Sequence, residues 1–325
     1  MMNKRENYLA LLNHEPVDWI PVLIADWAWI GGQAETWENG PAGGGLDGFG
    51  NGWIPTSSAA GQPALDPFNI PLEDPCDWQD VVKFPDLDAI DWEKYAEEQL
   101  APWNRDEMVI EYHTWNSVFL RATHLLGFEN ALCAFIEEPE AMFDLCDAIA
   151  DYKIRLLERV KKYINPDSYV HYDDVATGKS LFMSDDVYRK FIKPAHKKMN
   201  DAARAMDIIP VSHICGKCES IIEDVIEEGA VAWQAAQPSN DICGIIEKYG
   251  DKLAVIGGYD TQGPAGMADC SDEMCVAEVA RCMDEYAKYG RSYGFFGLRL
   301  GKVPDEVMFG AAIQMGHEAI AKLRA

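Results

Sequence analysis

The chain is poor in positive charge. It carries 28 lysines and arginines against 54 aspartates and glutamates, a formal net charge of −26. Such a surface repels phosphate backbones and anionic lipid, which excludes nucleic acid and an acidic membrane face as partners. No run approaches the roughly 18 consecutive apolar residues of a membrane span, so no membrane is expected. The N-terminus, Met1-Met-Asn-Lys-Arg-Glu-Asn7, is polar and lacks the apolar core of a signal segment. The nine cysteines are scattered with no disulfide-like framework, and read as reduced thiols of a cytoplasmic protein. Arginine is absent from residues 19–60, and no cysteine lies beyond Cys282. No Gly-x-Gly-x-x-Gly directly follows the first expected strand, which weakens a dinucleotide-binding sheet.

What is present suits a folded chain with a large core: 325 residues, 48% of them hydrophobic. After a short amphipathic helix over residues 3–13, Trp19–Ala25 reads as a first strand, finishing at Asp26 and Trp27. Residues 28–75 carry Gly, Pro, Trp and Asp with no sustained period, an irregular excursion near the expected site mouth. From residue 107 strands and helices alternate: strands at 108–113, 168–172, 209–215, 230–237, 252–260 and 293–299, and helices at 117–127, 139–163, 184–206, 219–228, 242–249, 272–288 and 304–323. That alternation, with no break in composition, predicts one α/β domain over residues 1–325, a (β/α)8 TIM barrel.

In such a barrel the active site lies at the C-terminal ends of the strands. Those ends supply Asp26 and Trp27, then Glu111 and His113, then His171, Asp173 and Asp174. Next come His213 and Cys215, Gln234 and Gln237, Tyr259 and Asp260, and Arg299. The segment Ile209-Pro-Val-Ser-His-Ile-Cys-Gly216 stands out. Residues two apart on a strand share a face, so His213 and Cys215 can offer imidazole and thiolate to one point, a pair suited to zinc. Cys218 is a candidate third ligand, or else the inert first residue of its helix. Asp173 and Asp174 can serve as general acids or substrate anchors, or cap the following turn. His171 points to the same side as Asp173, and Glu111 and His113 share a face. Trp27, Trp29 and the aromatic residues of 28–60 can wall an apolar pocket.

Several phrases resemble the uroporphyrinogen decarboxylase-like superfamily. They are Lys4-Arg-Glu-Asn7 with Pro21-Val22, Asp173-Asp174 followed by Met183-Ser-Asp-Asp-Val-Tyr-Arg-Lys-Phe-Ile-Lys-Pro194, His213-Ile-Cys215-Gly216, and Gly257-Gly-Tyr-Asp260. The resemblance covers nearly the whole chain and implies the same barrel. The family's decarboxylases grip propionates with an arginine-rich N-terminal segment, which this chain lacks. Its other branch comprises zinc-dependent methyltransferases that work with corrinoid proteins and share a His-x-Cys motif. Resemblance to that branch implies a methyltransferase moving a methyl group between a small methylated substrate, an ether or similar, and the cobalt of a partner corrinoid (cobalamin) protein. Zinc would sit on His213 and Cys215. Catalytic duty would fall to Asp173, Asp174 or His171, and substrate binding to Trp27, Glu111, His113, Gln237, Tyr259, Asp260 and Arg299. The thiol-methylating members supply a third cysteine where this chain has Phe296-Gly-Leu-Arg299, so either another residue (Cys218, Glu111 or an aspartate) closes the site or the chemistry differs, and thiol alkylation is disfavoured. The alternatives are a metal-independent decarboxylase of a non-porphyrin acid and a non-catalytic substrate- or corrinoid-binding protein. The sequence leaves a homodimer open.

Overall fold

The computed structural model describes every residue except 32–34, 36, 57–62 and 303. Parts of the 28–75 excursion therefore lie outside the described residues. Seven parallel strands form one curled sheet: β1 (Trp27–Gly31), β2 (Val109–Thr114), β3 (Ser168–Tyr172), β4 (Ile209–His213), β5 (Ala232–Ala236), β6 (Ala254–Gly258) and β7 (Tyr293–Phe296). They pair in chain order, so every connection is a crossover to the neighbouring strand. The residues of β2 to β6 are all buried, apart from a half-buried Ile209, as parallel strands covered by helices require.

The ring closes through an unexpected place. The predicted first strand, Trp19–Ala25, makes only one bridge, Val22 to Phe295. The Leu23 amide donates to the Phe295 carbonyl at 2.9 Å, and the Phe295 amide to the Pro21 carbonyl at 2.8 Å. The chain then turns at Ile24, with φ +72°, and only afterwards forms β1 against β2. Residues 21–23 thus hold the eighth stave, and β1 lies six residues beyond Pro21. The fold is a TIM barrel of seven full strands and this short closing segment.

Its floor is plugged from below. The helix Lys4–Leu12 opens with a capping box between Asn3 and Glu6, and places Tyr8 flat on Trp27, with ring centroids 3.8 Å apart. The excursion is fastened by buried ion pairs: Arg121 holds Asp47 at 2.8 Å and the Glu38 carbonyl, while Lys153 holds Glu38 and the Trp115 carbonyl. Part of the excursion is a three-stranded antiparallel sheet over Gly45–Leu46, Gly52–Ile54 and Ala64–Leu65. The helix Phe128–Glu137, between Val118–Leu126 and Pro139–Tyr163, was not legible as a separate element. Among the described residues no helix is long and apolar enough to cross a membrane.

Candidate metal centre

Strand β4 ends at His213, and the chain continues through Ile214 to Cys215 in a loop. The His213 ring faces the barrel interior, stacked on Tyr172 of β3 at 3.9 Å. Cys215 lies beyond the strand, yet its thiol comes back to 3.5 Å from His213 Nε2. Asp174, two residues past β3, accepts the Cys215 amide on Oδ1 at 2.7 Å. Ligand atoms of Asp174, His213 and Cys215 all lie within 4.8 Å of one another, the one such trio among the described residues.

The loop that carries Cys215 has little freedom. Gly216 adopts φ +88°, and a Cβ there would meet the Thr177 carbonyl oxygen at 2.5 Å and that of Ala176 at 2.7 Å. The Gly216 amide donates to Gln237 Oε1, Asn240 donates to the Gly216 carbonyl, and the Lys217 amide donates to the Thr177 carbonyl. Gly216→Ala is therefore expected to destabilise the fold by about 2 kcal/mol or more, from left-handed strain plus overpacking. A thermal melt beside a metal titration checks this; unchanged stability would show that the loop can shift.

The electrostatics suit a cation. Burial, then His113, lowers the His213 pKa to about 3, so the ring is a neutral donor. Burial, then Asp174, pushes the Cys215 thiol up, and burial also raises Asp174 against the opposing Cys215 amide. A thiol and a carboxyl crowded together resist double ionisation until a cation displaces the proton. One nitrogen, one sulfur and one oxygen donor fit zinc with a fourth position open for substrate, as catalytic zinc sites require.

Around the trio stands an aromatic wall. Tyr172 stacks on Trp115 at 4.7 Å, and Trp29 stacks on His113 at 3.8 Å. Phe296 approaches the His213 ring edge-on at 6.4 Å. His113 Nδ1 pairs with the Tyr172 hydroxyl at 2.8 Å, and its Nε2 lies 3.2 Å from Glu111 Oε1. Trp115, Tyr172 and Phe296 escaped the sequence reading. Tyr172 could have been found, since it shares a strand face with Asp174 by the two-residue rule.

The other sequence-derived candidates are placed elsewhere or occupied. Glu111 is fully buried and accepts from Tyr8, Trp27 and Ser168, so it sits below the trio as a structural hub. Trp27 belongs to the same floor. Asp173 points to the helix side of the sheet, accepting the Phe119 and Leu120 amides at 2.9 and 2.8 Å and His196 Nε2 at 2.7 Å. His171 is on that side too, its ring 4.4 Å from His196, and burial lowers its pKa. Cys218 is buried with its amide on Asn240 and outside the trio. Gln237 bridges Gly216 to Thr261, Tyr259 donates to the Ala265 carbonyl, and Asp260 caps its own turn at Gly263. Arg299 is spent on Asp305 and Asp272 at 2.6 and 2.8 Å.

Residues 116–297 match the uroporphyrinogen decarboxylase (URO-D) family. That span is more than half of the chain. The chain belongs to the URO-D family. Among solved structures, a methyltransferase from Methanosarcina mazei is similar over 100% of both chains, with a TM-score of 0.67 and 14% identity; at that identity it shows the shared fold. A uronate isomerase from Bacillus halodurans C-125 covers 74% of this chain and 66% of its own at 11% identity, but its TM-score of 0.31 carries no argument. No curated protein matches the chain. Within this URO-D family member, the trio and the aromatic wall lie at the strand ends where a TIM barrel carries its chemistry.

Proposed function

We propose that this URO-D family member is a methyltransferase that moves a methyl group between a small methylated substrate and the cobalt of a separate corrinoid protein. The observation that carries the reading is the convergence of Asp174, His213 and Cys215 beneath an aromatic wall. Zinc held there would act as a Lewis acid on the substrate heteroatom, making it a better leaving group when the methyl carbon is attacked.

The chain's own residues do the rest. Trp29, Trp115, Tyr172 and Phe296 pack against the apolar part of the substrate and keep water from the transferring methyl. Tyr172, stacked on His213, holds that ring from one side, while His113, itself beside Glu111, holds the Tyr172 hydroxyl. Asp173 and His171 face the helices, so orientation and proton supply fall to the interior groups, Tyr172 and His113. The likeness to a methyltransferase fold supports the reading.

The decarboxylase alternative fares worse on a specific ground. A substrate acid needs a cation inside the site, and the buried basic side chains Arg299, Arg121 and Lys153 are each committed to carboxylates of the chain. The test is spectroscopic. Zinc-loaded protein incubated with cob(I)alamin and a panel of aryl methyl ethers, methanol and methylated amines is expected to yield methylcob(III)alamin with one donor class. A zinc-loaded protein that methylates cobalt with none of them, while releasing carbon dioxide from an organic acid, would overturn the proposal. Tight binding of a corrinoid carrier without any transfer would instead favour a binding protein.

A further inference from the structure

Gln234 lies in the middle of β5. Its register partner on β4 is His213, and on β6 it is Ile256. Partners across a parallel pair point to the same face, so Gln234 shares the barrel interior with His213. It is fully buried, and neither Oε1 nor Nε2 has a hydrogen-bond partner among the described residues. His213 Nδ1 is likewise buried and unpartnered. Other interior polar groups are committed: Glu111 to Tyr8, Trp27 and Ser168, and His113 Nδ1 to Tyr172. A buried amide with both ends unpaired destabilises the protein unless something else engages it.

The backbone at this point gives a second, independent sign. Ala235, the next residue, has φ +66°, and the ladder to β6 shifts register between Gln234 and Ala236. Alanine gains nothing from the left-handed region, and a bulge at a strand end re-aims the neighbouring side chain. Strain and an unpaired amide therefore coincide beside a metal-donor histidine.

The chemistry connects them. Nε2 is the His213 atom turned toward Cys215, and a neutral ring with Nε2 on a cation must carry its proton on Nδ1. That N–H needs an acceptor, and metal-bound histidines nearly always have one. We infer that Gln234 is the positioning residue of the centre: its Oε1 accepts the Nδ1–H of His213 when a metal engages Nε2, fixing the ring's tautomer and direction. The amide NH2 then remains as a donor to substrate in the barrel interior. The inference rests on the reading of the trio as a metal site.

Metal-free wild type, Gln234→Met and Gln234→Glu would be titrated with Zn2+ against a chelating indicator, and with Co2+ followed by its d–d absorption. Gln234→Met should bind zinc about 10–100-fold more weakly and change the Co2+ band. Its metal-free thermal midpoint should be unchanged or higher, because two unpaired polar atoms are gone. Gln234→Glu keeps an acceptor and should recover most of the affinity. Wild-type zinc affinity and an unchanged Co2+ band in Gln234→Met, or a loss in Gln234→Glu as large as in Gln234→Met, would overturn the inference and leave the metal site standing. A wild type that binds neither metal would overturn the underlying reading instead.

Discussion

Asp174→Asn is expected to lose zinc by more than the roughly 10–100-fold that follows mutation of an outer-shell partner, with the fold intact. The substitution keeps the side chain's shape and its acceptor for the Cys215 amide, so the loop is not undone. What it removes is the anionic oxygen of a three-donor set. With only imidazole and thiolate left, the set falls below the three protein ligands of a catalytic zinc site. Burial, and to a smaller extent Asp173, penalise the Asp174 charge when no cation is present and outweigh the Cys215 amide and thiol that favour it, so the metal-free Asp174→Asn protein should melt no lower than wild type. Competition titration and a thermal melt on the same preparations check both halves. Wild-type zinc affinity in this variant would return the third-ligand question to Cys218.

The second large effect lies behind the sheet. His196, wholly buried, sits between Asp173 at 2.7 Å and Glu228 at 3.4 Å. Burial alone would lower its pKa, but the hydrogen bonds and charges of the two carboxylates raise it to about 9. A raised folded-state value stabilises fully below the unfolded value of about 6.5, and that stabilisation is lost as pH rises through about 9. The amount is on the order of 3 kcal/mol. His196→Gln leaves Asp173 and Glu228 without their cation and is expected to cost about 3–5 kcal/mol near neutral pH. Urea midpoints of both proteins should converge between pH 6.5 and 9.5. A gap that stays constant or widens over that range would show that the ring is neutral in the native state.

Local pattern made much of this legible. Ser168–Tyr172 and Ile242–Tyr249 fold as their sequences read, because apolar periodicity and flanking turn residues agree there. Alternation also paired His171 with Asp173, and Glu111 with His113, on common faces. What alternation cannot say is which face turns inward. That depends on the helices at Val118–Leu126 and Lys193–Ala205 claiming Asp173, which leaves Asp174 for the interior. The misplaced first strand has a similar cause. Trp19–Ala25 is apolar enough for a strand, but its partner Phe295 is some 270 residues away, and the turn at Ile24 moves the paired segment on to Trp27–Gly31. Arg299 looked like a rim cation because Asp305 and Asp272 gave no sign of reaching it. Two of the family phrases, by contrast, Asp173-Asp174 and His213-Ile-Cys215-Gly216, carry the trio itself, and both lie within residues 116–297, which bear the family match.

The most direct test of the central claim is metal stoichiometry. Protein purified under reducing conditions with zinc supplied would be measured by elemental analysis beside His213→Ala, Cys215→Ser and Asp174→Asn. The account predicts close to one zinc per wild-type chain, and a marked loss in each of the three variants. No zinc in the wild type, or full zinc in all three variants, would contradict it.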